Sequence, residues 1–319
     1  MLKKKPLSFA KVAEPKTGYS VGIFFGFILL SGIFWLVSNI RSADGWFKAK
    51  VYEFSIESGS RTDEIVERSR SIESVDKLME IIAEKTDETD GIYGWYAIEI
   101  ETESGFGVNE DEIFTAASVI KVPIMVKYLL DVEADLEDLG QVYKLDKEDV
   151  LEGTGSLQYQ EEGTSYSYEE LLLLAGKQSD NTAIWVLMTA VRRSRVQQFV
   201  DELEMSRTDI AENESSPRDM ARLFVDVYQD KIFFEKRSKE LFFEALTDTD
   251  FEDRIPAGVP EEVRVIHKIG NETQVWNDCG IILSENPYVL CIMTGGIRLS
   301  ESSEMLPFIS EKVWQYMNR

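Results

Sequence analysis

The sequence predicts a mixed α/β (α+β) domain in which an antiparallel sheet is flanked by helices and interrupted by an inserted all-helical subdomain, with one transmembrane helix before it. Strand-forming residues are concentrated near 92–114 and again near 263–294, whereas the stretch between them has the hydrophobic spacing of helices. An uncharged apolar segment precedes both regions. The early and late strands are therefore expected to share one sheet, with a cleft where the inserted helices meet it.

The N-terminal segment Tyr19–Ile40 is uncharged and long enough to cross a bilayer as a helix. Lysines are frequent in residues 1–18, so the positive-inside rule places this basic tail in the cytoplasm and the rest of the chain outside. A cleaved signal peptide is the alternative, but its apolar region is usually shorter, and Ser38-Asn39-Ile40 is a poor cleavage site. We expect a single-pass anchor in the cell membrane, then a stalk over 41–72 and an extracytoplasmic domain over 73–319.

Local patterns after the stalk predict the elements of this domain in turn. Apolar residues recur at helical spacing after Ser74, and segments rich in β-branched and aromatic residues follow them. The predicted segments are a helix after Ser74, strands at 92–100 and 105–114, the helical subdomain at about 118–250, strands at 263–269, 275–283 and 289–294, and a helix at about 304–317. The last three strands are expected to form an antiparallel set.

The composition excludes several classes of function. With 58 acidic and 34 basic residues and a net charge of −24, the protein would repel phosphate backbones, so no nucleic acid partner is expected. One histidine, His267, is too few for an HExxH zinc hydrolase, and no G-x-S-x-G motif supplies the serine of a Ser-His-Asp triad. No metal or organic cofactor is implied.

Three Ser-x-x-Lys tetrads are present, and their context distinguishes them. Ser8 precedes the predicted span, and Ser74 lies where a helix N-cap is expected. Pro123 requires a helix to begin within about one turn before it, which leaves Ser118 at the N-terminal end of that helix. There, free N–H groups and the helix dipole favour the oxyanion formed when a serine attacks a carbonyl. Lys121 lies on the same helix face, as a candidate base.

Two further motifs accompany this tetrad. Ser179-Asp180-Asn181 lies between two helical runs, where it could relay a proton and hold a substrate amide, or could simply cap a helix. Lys268-Ile269-Gly270 lies on a predicted strand. Lys121 can accept a proton only when neutral, so its pKa must be lowered either by desolvation or by another cation beside it. Lys268 is the candidate for that cation.

In this order the three motifs resemble the class A β-lactamase family and its penicillin-binding relatives, whose motifs are S-x-x-K, S-D-N and K-T-G. Landmarks in family order also lie at Gly153–Gln158, Ser216–Ala221, Asp253–Gly258 and Asn277–Asp278. The resemblance covers about 74–319. It implies a β-lactamase/transpeptidase-like fold and an acyl-enzyme formed with a small-molecule β-lactam or a peptidoglycan-like peptide.

The resemblance also implies catalytic roles. Ser118 would be the acylated nucleophile, Lys121 its base, and Ser179 the relay that carries the proton to the leaving nitrogen.

The same resemblance implies a set of substrate-binding residues. Asn181 would contact the substrate and the catalytic lysine, while Lys268 would attract a substrate carboxylate from the strand that also carries Gly270. The backbone N–H groups of Ser118 and Asn271 would form the oxyanion hole.

The chain departs from the family pattern at two places. Ile269 replaces the K-T-G hydroxyl, which predicts weaker capture of a substrate carboxylate. The segment Thr208–Ser216 is short and lacks the E-x-x-L-N motif whose glutamate activates the deacylating water. Glu212 and Glu214 are out of register and are interpreted as solvated loop carboxylates. Slow deacylation is therefore expected.

The histidine and the cysteines are assigned structural positions. His267 precedes Lys268 on one strand, so the two side chains should point to opposite faces, and His267 is interpreted as structural. Cys279 and Cys291 are about equally far from a turn at 285–287, which predicts that they oppose each other across a hairpin. A disulfide is one outcome in an oxidising compartment, but strain in cross-strand pairs favours free thiols.

Two other functions remain compatible with the motifs. A D-alanyl-D-alanine peptidase or related penicillin-binding wall enzyme would use the same three motifs. A non-catalytic wall-binding or sensor module would retain the cleft but would not acylate Ser118.

Overall fold

The computed structural model describes residues 74–319. The predicted basic tail, membrane span and stalk, at 1–72, lie outside the described residues. Within residues 74–319, no helix combines the length and the apolar character that a membrane crossing requires.

The described part of the chain alternates helices and strands. Its helices are α1 Val75–Thr86, α2 Lys121–Glu133, α3 Tyr168–Lys177, α4 Asn181–Val191, α5 Arg193–Glu202, α6 Pro217–Tyr228, α7 Lys236–Ala245 and α8 Leu299–Met317. Its strands are β1 Ile92–Glu99, β2 Gly105–Val108, β3 Phe114–Thr115, β4 Val142–Lys144, β5 Ser165–Ser167, β6 Glu214–Ser215, β7 Arg264–Glu272, β8 Val275–Leu283 and β9 Tyr288–Gly295. Short 3₁₀ turns lie at Ala117–Ile120, Lys147–Asp149, Leu157–Tyr159 and Pro256–Gly258.

The main sheet has five antiparallel strands in the order β2-β1-β9-β8-β7. The early strand β1 pairs with the late strand β9. The early and late strands therefore share one sheet, as predicted, and the helical region is inserted between them in the sequence. Alternate residues of β9 enter different cores. Leu290 and Ile292 pack with the residues of α1 and α8, whereas Cys291 and Met293 join the core of the helical subdomain. The sheet is therefore buried on both faces.

The inserted region is not all-helical, which corrects the prediction. β4 pairs with β5, and β3 pairs with β6, each as a two-stranded antiparallel ribbon. The predicted strand at 105–114 is in fact two strands, β2 and β3, which pair with different partners. Strands this short are hard to predict, because two to four residues are too few to show the alternation of a strand. Only their pairing in the folded chain identifies them as strands.

Two sequence predictions at helix starts have clear outcomes. The Ser74 side chain accepts a hydrogen bond from the N–H of Lys77 at 3.2 Å, so this serine caps α1, as predicted. The last helix begins at Leu299 rather than near 304, because Glu301 accepts a hydrogen bond from the backbone N–H of Arg298 at 2.7 Å and adds a turn at the start.

Cys279 and Cys291 are joined by a disulfide, so the expectation of free thiols was wrong. The two residues are direct cross-strand partners in β8 and β9, with their Cα atoms 3.9 Å apart. The predicted opposition across a hairpin is confirmed. The disulfide lies in the buried core, and Cys279 is also the cross-strand partner of Lys268.

Candidate active site

Ser118 lies in the 3₁₀ turn that leads directly into α2, at the junction of the sheet and the helical subdomain. The preceding residue, Ala117, has a left-handed backbone with φ of 48°, which a non-glycine residue adopts only when its surroundings hold it. Strand β7 runs against this turn at Gly270. A Cβ atom there would lie 2.6 Å from the Ala116 carbonyl oxygen and 3.2 Å from the Ser118 nitrogen. Glycine therefore allows the strand to approach the serine closely.

The segment before Ser118 is held by side chain and backbone contacts from distant parts of the chain. Asn277 Nδ2 donates to the carbonyl oxygens of Thr115 and Ala116 at 2.9 and 3.0 Å. The Ala116 N–H donates to the carbonyl of Asn213 at 2.8 Å. Sequence reasoning placed Asn277 in a family landmark but gave it no role, since nothing local indicates which carbonyls its amide meets.

Lys121 is buried beneath the cleft, with 5% of its surface exposed. Its Nζ donates to the backbone oxygen of Ser179 at 2.5 Å, to Ser179 Oγ at 3.2 Å and to Asn181 Oδ1 at 2.8 Å. Burial lowers the pKa of Lys121 to about 7, and the nearby carboxylate of Asp180 opposes the shift. Of the two predicted causes, desolvation is therefore the one that lowers this pKa, and a charge on Lys268 is not.

The Ser-Asp-Asn turn serves as both a helix cap and part of the site. Asp180 caps α4 by accepting from the N–H of Ala183 at 2.9 Å, and its other oxygen accepts from Leu157 at 2.9 Å. Ser179 is fully buried with a left-handed φ of 53°. This geometry turns Ser179 and Asn181 toward Lys121 while the aspartate between them holds the helix.

Lys268 lies on β7 with 1% of its surface exposed, and its Nζ donates to the backbone oxygen of Ile269 at 3.2 Å. Burial lowers the pKa of Lys268 well below its ordinary value, and the charges of Lys121 and Arg254 lower it further. Within residues 74–319 no carboxylate forms an ion pair with it at up to 4.0 Å.

Arg254 is a buried residue of the site that sequence reasoning did not single out. Its guanidinium donates to the Asn277 carbonyl at 2.6 Å, to the Gly270 carbonyl at 3.4 Å and to the side-chain oxygen of Asn271. It thereby supports β7 where the predicted oxyanion residue Asn271 lies. Its only sequence signal was its place in the landmark Asp253–Gly258.

The loop beside Ser118 is a tight turn between Asp209 and Glu214. The backbone groups of these two residues exchange two hydrogen bonds of 3.0 Å each, and Glu214 pairs with Thr115 in the ribbon of β3 and β6. The Glu212 side chain is exposed. Within residues 74–319, no carboxylate is hydrogen-bonded to Ser118 or Lys121.

His267 lies on the face of β7 opposite to Lys268, fully buried. Its Nδ1 is 2.8 Å from Asp278 Oδ1, and its Nε2 is 3.3 Å from Glu252 Oε1. Burial lowers the pKa of His267, but the two carboxylates outweigh it and raise the pKa to about 9. The described residues hold no cluster of three or more His, Cys, Asp or Glu side chains arranged for a metal ion.

Comparison with known proteins gives consistent matches. A model of the beta-lactamase enzyme family matches residues 75–317. Beta-lactamase VEB-1 from Pseudomonas aeruginosa is 24% identical over 238 residues, which cover 66% of this chain and 80% of VEB-1. The solved structure of PBP-A is 25% identical with a TM-score of 0.71, covering 76% of this chain and 96% of PBP-A. The β-lactamase of Sphaerobacter thermophilus DSM 20745 is 24% identical with a TM-score of 0.70, covering 74% and 94%.

Proposed function

The chain belongs to the beta-lactamase enzyme family and is a serine hydrolase of that type, and on this basis we propose that Ser118 forms an acyl-enzyme with β-lactams or related peptidoglycan-like amides. The observation that carries the proposal is the buried Lys121. Its amine has a pKa of about 7 and lies within hydrogen-bonding distance of Ser179 and Asn181. A lysine in this state can accept a proton at neutral pH.

Acylation would proceed by attack of Ser118 Oγ on the amide carbonyl as its proton passes to Lys121. The backbone N–H groups of Ser118 and Asn271 would stabilise the oxyanion. When the C–N bond breaks, the nitrogen would take the proton from Lys121 through the Ser179 hydroxyl, 3.2 Å from the lysine. The products are a Ser118 ester and a free amine on the leaving group.

Substrate binding would use Asn181, Lys268 and the β7 edge at Gly270 and Asn271. Asn181 Oδ1 already accepts from Lys121, so its amide lies next to the reacting groups. Burial lowers the pKa of Lys268, and Ile269 brings no hydroxyl to the strand. The missing hydroxyl predicts weak capture of a substrate carboxylate.

We propose that the ester is hydrolysed slowly. Deacylation needs a base that activates water near Ser118, and the tight turn from Asp209 to Glu214 places no such carboxylate in hydrogen-bond contact with Ser118 or Lys121 among the described residues. Loss of general-base catalysis typically costs about 10²- to 10⁴-fold in rate. The same feature favours the second candidate, a penicillin-binding wall peptidase, over a resistance enzyme with rapid turnover.

We also propose that the segment Tyr19–Ile40 anchors the protein in the cytoplasmic membrane, with the enzyme outside. The lysines before it and its uncharged length support this orientation. The disulfide between Cys279 and Cys291 adds support, because structural disulfides are typical of oxidising compartments.

Labelling with a fluorescent penicillin, followed by intact-mass measurement, tests the proposed acyl-enzyme. We expect one adduct per chain, lost in Ser118→Ala and retained in Ser74→Ala and Ser8→Ala, since Ser74 only caps α1. Labelling of the Ser118→Ala variant would remove the assignment of the nucleophile. A folded wild-type protein that never acylates would favour the non-catalytic module.

A further inference from the structure

The disulfide between Cys279 and Cys291 lies directly beside a residue of the candidate site. Cys279 on β8 is the cross-strand partner of Cys291 on β9 and also of Lys268 on β7. Direct cross-strand partners point to the same face of a sheet, with Cβ atoms about 4.5–5.5 Å apart. The two sulfurs and the stem of the lysine therefore form one row across three strands, on the face that packs against the helical subdomain.

This row is closed to solvent. Cys279 and Cys291 have no exposed surface, and Lys268 has 1% of its surface exposed. Burial, and after it the charge of Lys121, lower the pKa of Lys268, so the two amines lie close enough to interact. Because a protein interior is close-packed, any change in the distance between the two sulfurs must be taken up by their neighbours, and Lys268 is one of them.

The disulfide also lies where the backbone pairing of β8 with β9 ends. Their register stops at Asp278, the residue before Cys279. Beyond that point a side chain joins the two strands, since Asn277 Oδ1 accepts from the Thr294 N–H at 2.8 Å. Asn277 Nδ2 also donates to two carbonyls of the segment that precedes Ser118. The disulfide therefore fixes the strand spacing next to the side chain that holds this segment.

Reduction of the disulfide would change this spacing. Two molecules of a thiol reductant convert the disulfide into two cysteine thiols and leave as their own disulfide, so that two S–H bonds replace one S–S bond. Bonded sulfurs are about 2 Å apart, whereas non-bonded heavy atoms approach to about 3.5–4.0 Å. Either β8 must then move away from β9, or the sulfurs must turn toward their neighbours in the row.

We propose that the disulfide between Cys279 and Cys291 positions the acylation machinery, so that Ser118 reacts at its full rate only while this disulfide is intact. The two cysteines are positioning residues that act through Lys268 on one side and Asn277 on the other. This inference rests on the proposed acyl-enzyme and adds a redox requirement to it. An enzyme with this requirement is fully active in an oxidising compartment and slow in a reducing one.

Reversible reduction of the full-length protein in detergent tests the proposal. The reductant is removed before the assay, and alkylation of a denatured aliquot followed by intact-mass measurement counts the free thiols. Saturation kinetics with a fluorescent penicillin then give the acylation rate constant and the apparent affinity separately. We expect reduction to lower the rate constant about tenfold or more, because a misplacement of about 1 Å at a reacting group can cost on the order of 10²-fold. The apparent affinity should change less, and reoxidation should restore the rate.

Variants separate the positioning effect from a loss of stability. The double variant Cys279→Val, Cys291→Ala keeps apolar side chains without the covalent bond, and it should acylate as slowly as the reduced wild type whether or not it is treated with reductant. Ile82→Ala is the matched control for stability, because Ile82 is buried in the core on the other face of the sheet. This control should have a lower thermal midpoint but the rate constant of the wild type.

Equal rate constants for the oxidised and the reduced protein, both folded by circular dichroism, would overturn this inference alone. An equal loss of rate in Ile82→Ala would also overturn it, because the disulfide would then act only through stability. If reduction unfolds the wild type, the folded double variant decides, and a wild-type rate constant in it would overturn the inference. If the oxidised wild type never forms an adduct, the proposed function fails and this inference fails with it.

Discussion

Asn277 Nδ2, on β8, donates a hydrogen bond of 3.0 Å to the backbone carbonyl of Ala116, two residues before Ser118. The same Nδ2 donates to the Thr115 carbonyl, and Asn277 Oδ1 accepts from the Thr294 N–H on β9 at 2.8 Å. One buried side chain therefore connects two central strands to the segment that carries the nucleophile. These contacts fix the orientation of both carbonyls in the segment that precedes Ser118, the proposed nucleophile.

Asn277→Ala should slow acylation more than it weakens substrate binding. The change leaves the two carbonyls without their donor and frees the strained peptide at Ala117, and a misplacement of about 1 Å at a reacting group can cost on the order of 10²-fold in rate. Saturation kinetics of penicillin labelling separate the rate constant from the affinity. Asn277→Asp, which keeps an acceptor for Thr294 but no donor, should show the same rate loss. Unchanged rates in both variants would show that Asn277 does not position Ser118.

Acylation should depend on pH through Lys121. Because burial lowers the pKa of this amine to about 7, the neutral, proton-accepting form increases as pH rises and dominates above that value. The acylation rate should climb about tenfold per pH unit below 7 and then level off. Stopped-flow labelling from pH 5 to pH 9 measures this. A rate that still rises tenfold per pH unit up to pH 9 would mean that Lys121 has the pKa of an exposed lysine.

A chromogenic cephalosporin should give a stoichiometric burst followed by slow turnover. Lys121 is the proposed base for ester formation, whereas no carboxylate of the short turn at 209–214 is hydrogen-bonded to Ser118 or Lys121 as a base for the water. The ester should persist as a mass adduct on Ser118. Rapid steady turnover without an adduct would contradict this. If Glu212→Gln or Glu214→Gln then stopped that turnover, the corresponding carboxylate would be the missing base.

His267 should stabilise the fold at neutral pH and lose that effect in alkali. Its folded-state pKa, about 9, lies above its ordinary 6.5, so its charge contributes fully below 6.5 and the contribution is lost as pH rises through 9. The difference in thermal midpoint between wild type and His267→Gln should shrink over that window. Glu252→Gln removes only the more distant partner of His267, at 3.3 Å. The difference in thermal midpoint between wild type and Glu252→Gln should therefore change less with pH than the difference between wild type and His267→Gln. A gap independent of pH would show that the histidine is neutral.

The proposed membrane orientation predicts that the enzyme is accessible from outside. Protease added to intact spheroplasts should digest the part of the chain after Arg41, because the lysines before Tyr19 should keep the N-terminus inside. A cytoplasmic marker protein serves as the control for intact membranes. Protection of the domain until lysis would reverse the orientation.

The sequence by itself determined the elements whose residues carry their own signal. Hydrophobic spacing and strand-forming runs predicted α1, β1, β8 and the pairing of early with late strands. Pro123 placed Ser118 at the start of a helix, and the structure has a 3₁₀ turn there that leads into α2. These features depend on neighbours along the chain, so a single sequence reveals them.

Only the tertiary structure decided the contacts that make the site. The sequence left two causes open for a lowered pKa of Lys121, desolvation or a neighbouring cation, and the packed structure shows that burial is the cause. The hydrogen bond between Asn277 and Ala116 joins residues 161 positions apart in the sequence. The hydrogen bond between Arg254 and Asn271 joins residues 17 positions apart. Cys279 and Cys291 were predicted to face each other, but whether they bond depends on strand separation. Burial and long-range distances arise when the whole chain packs, so no local pattern encodes them.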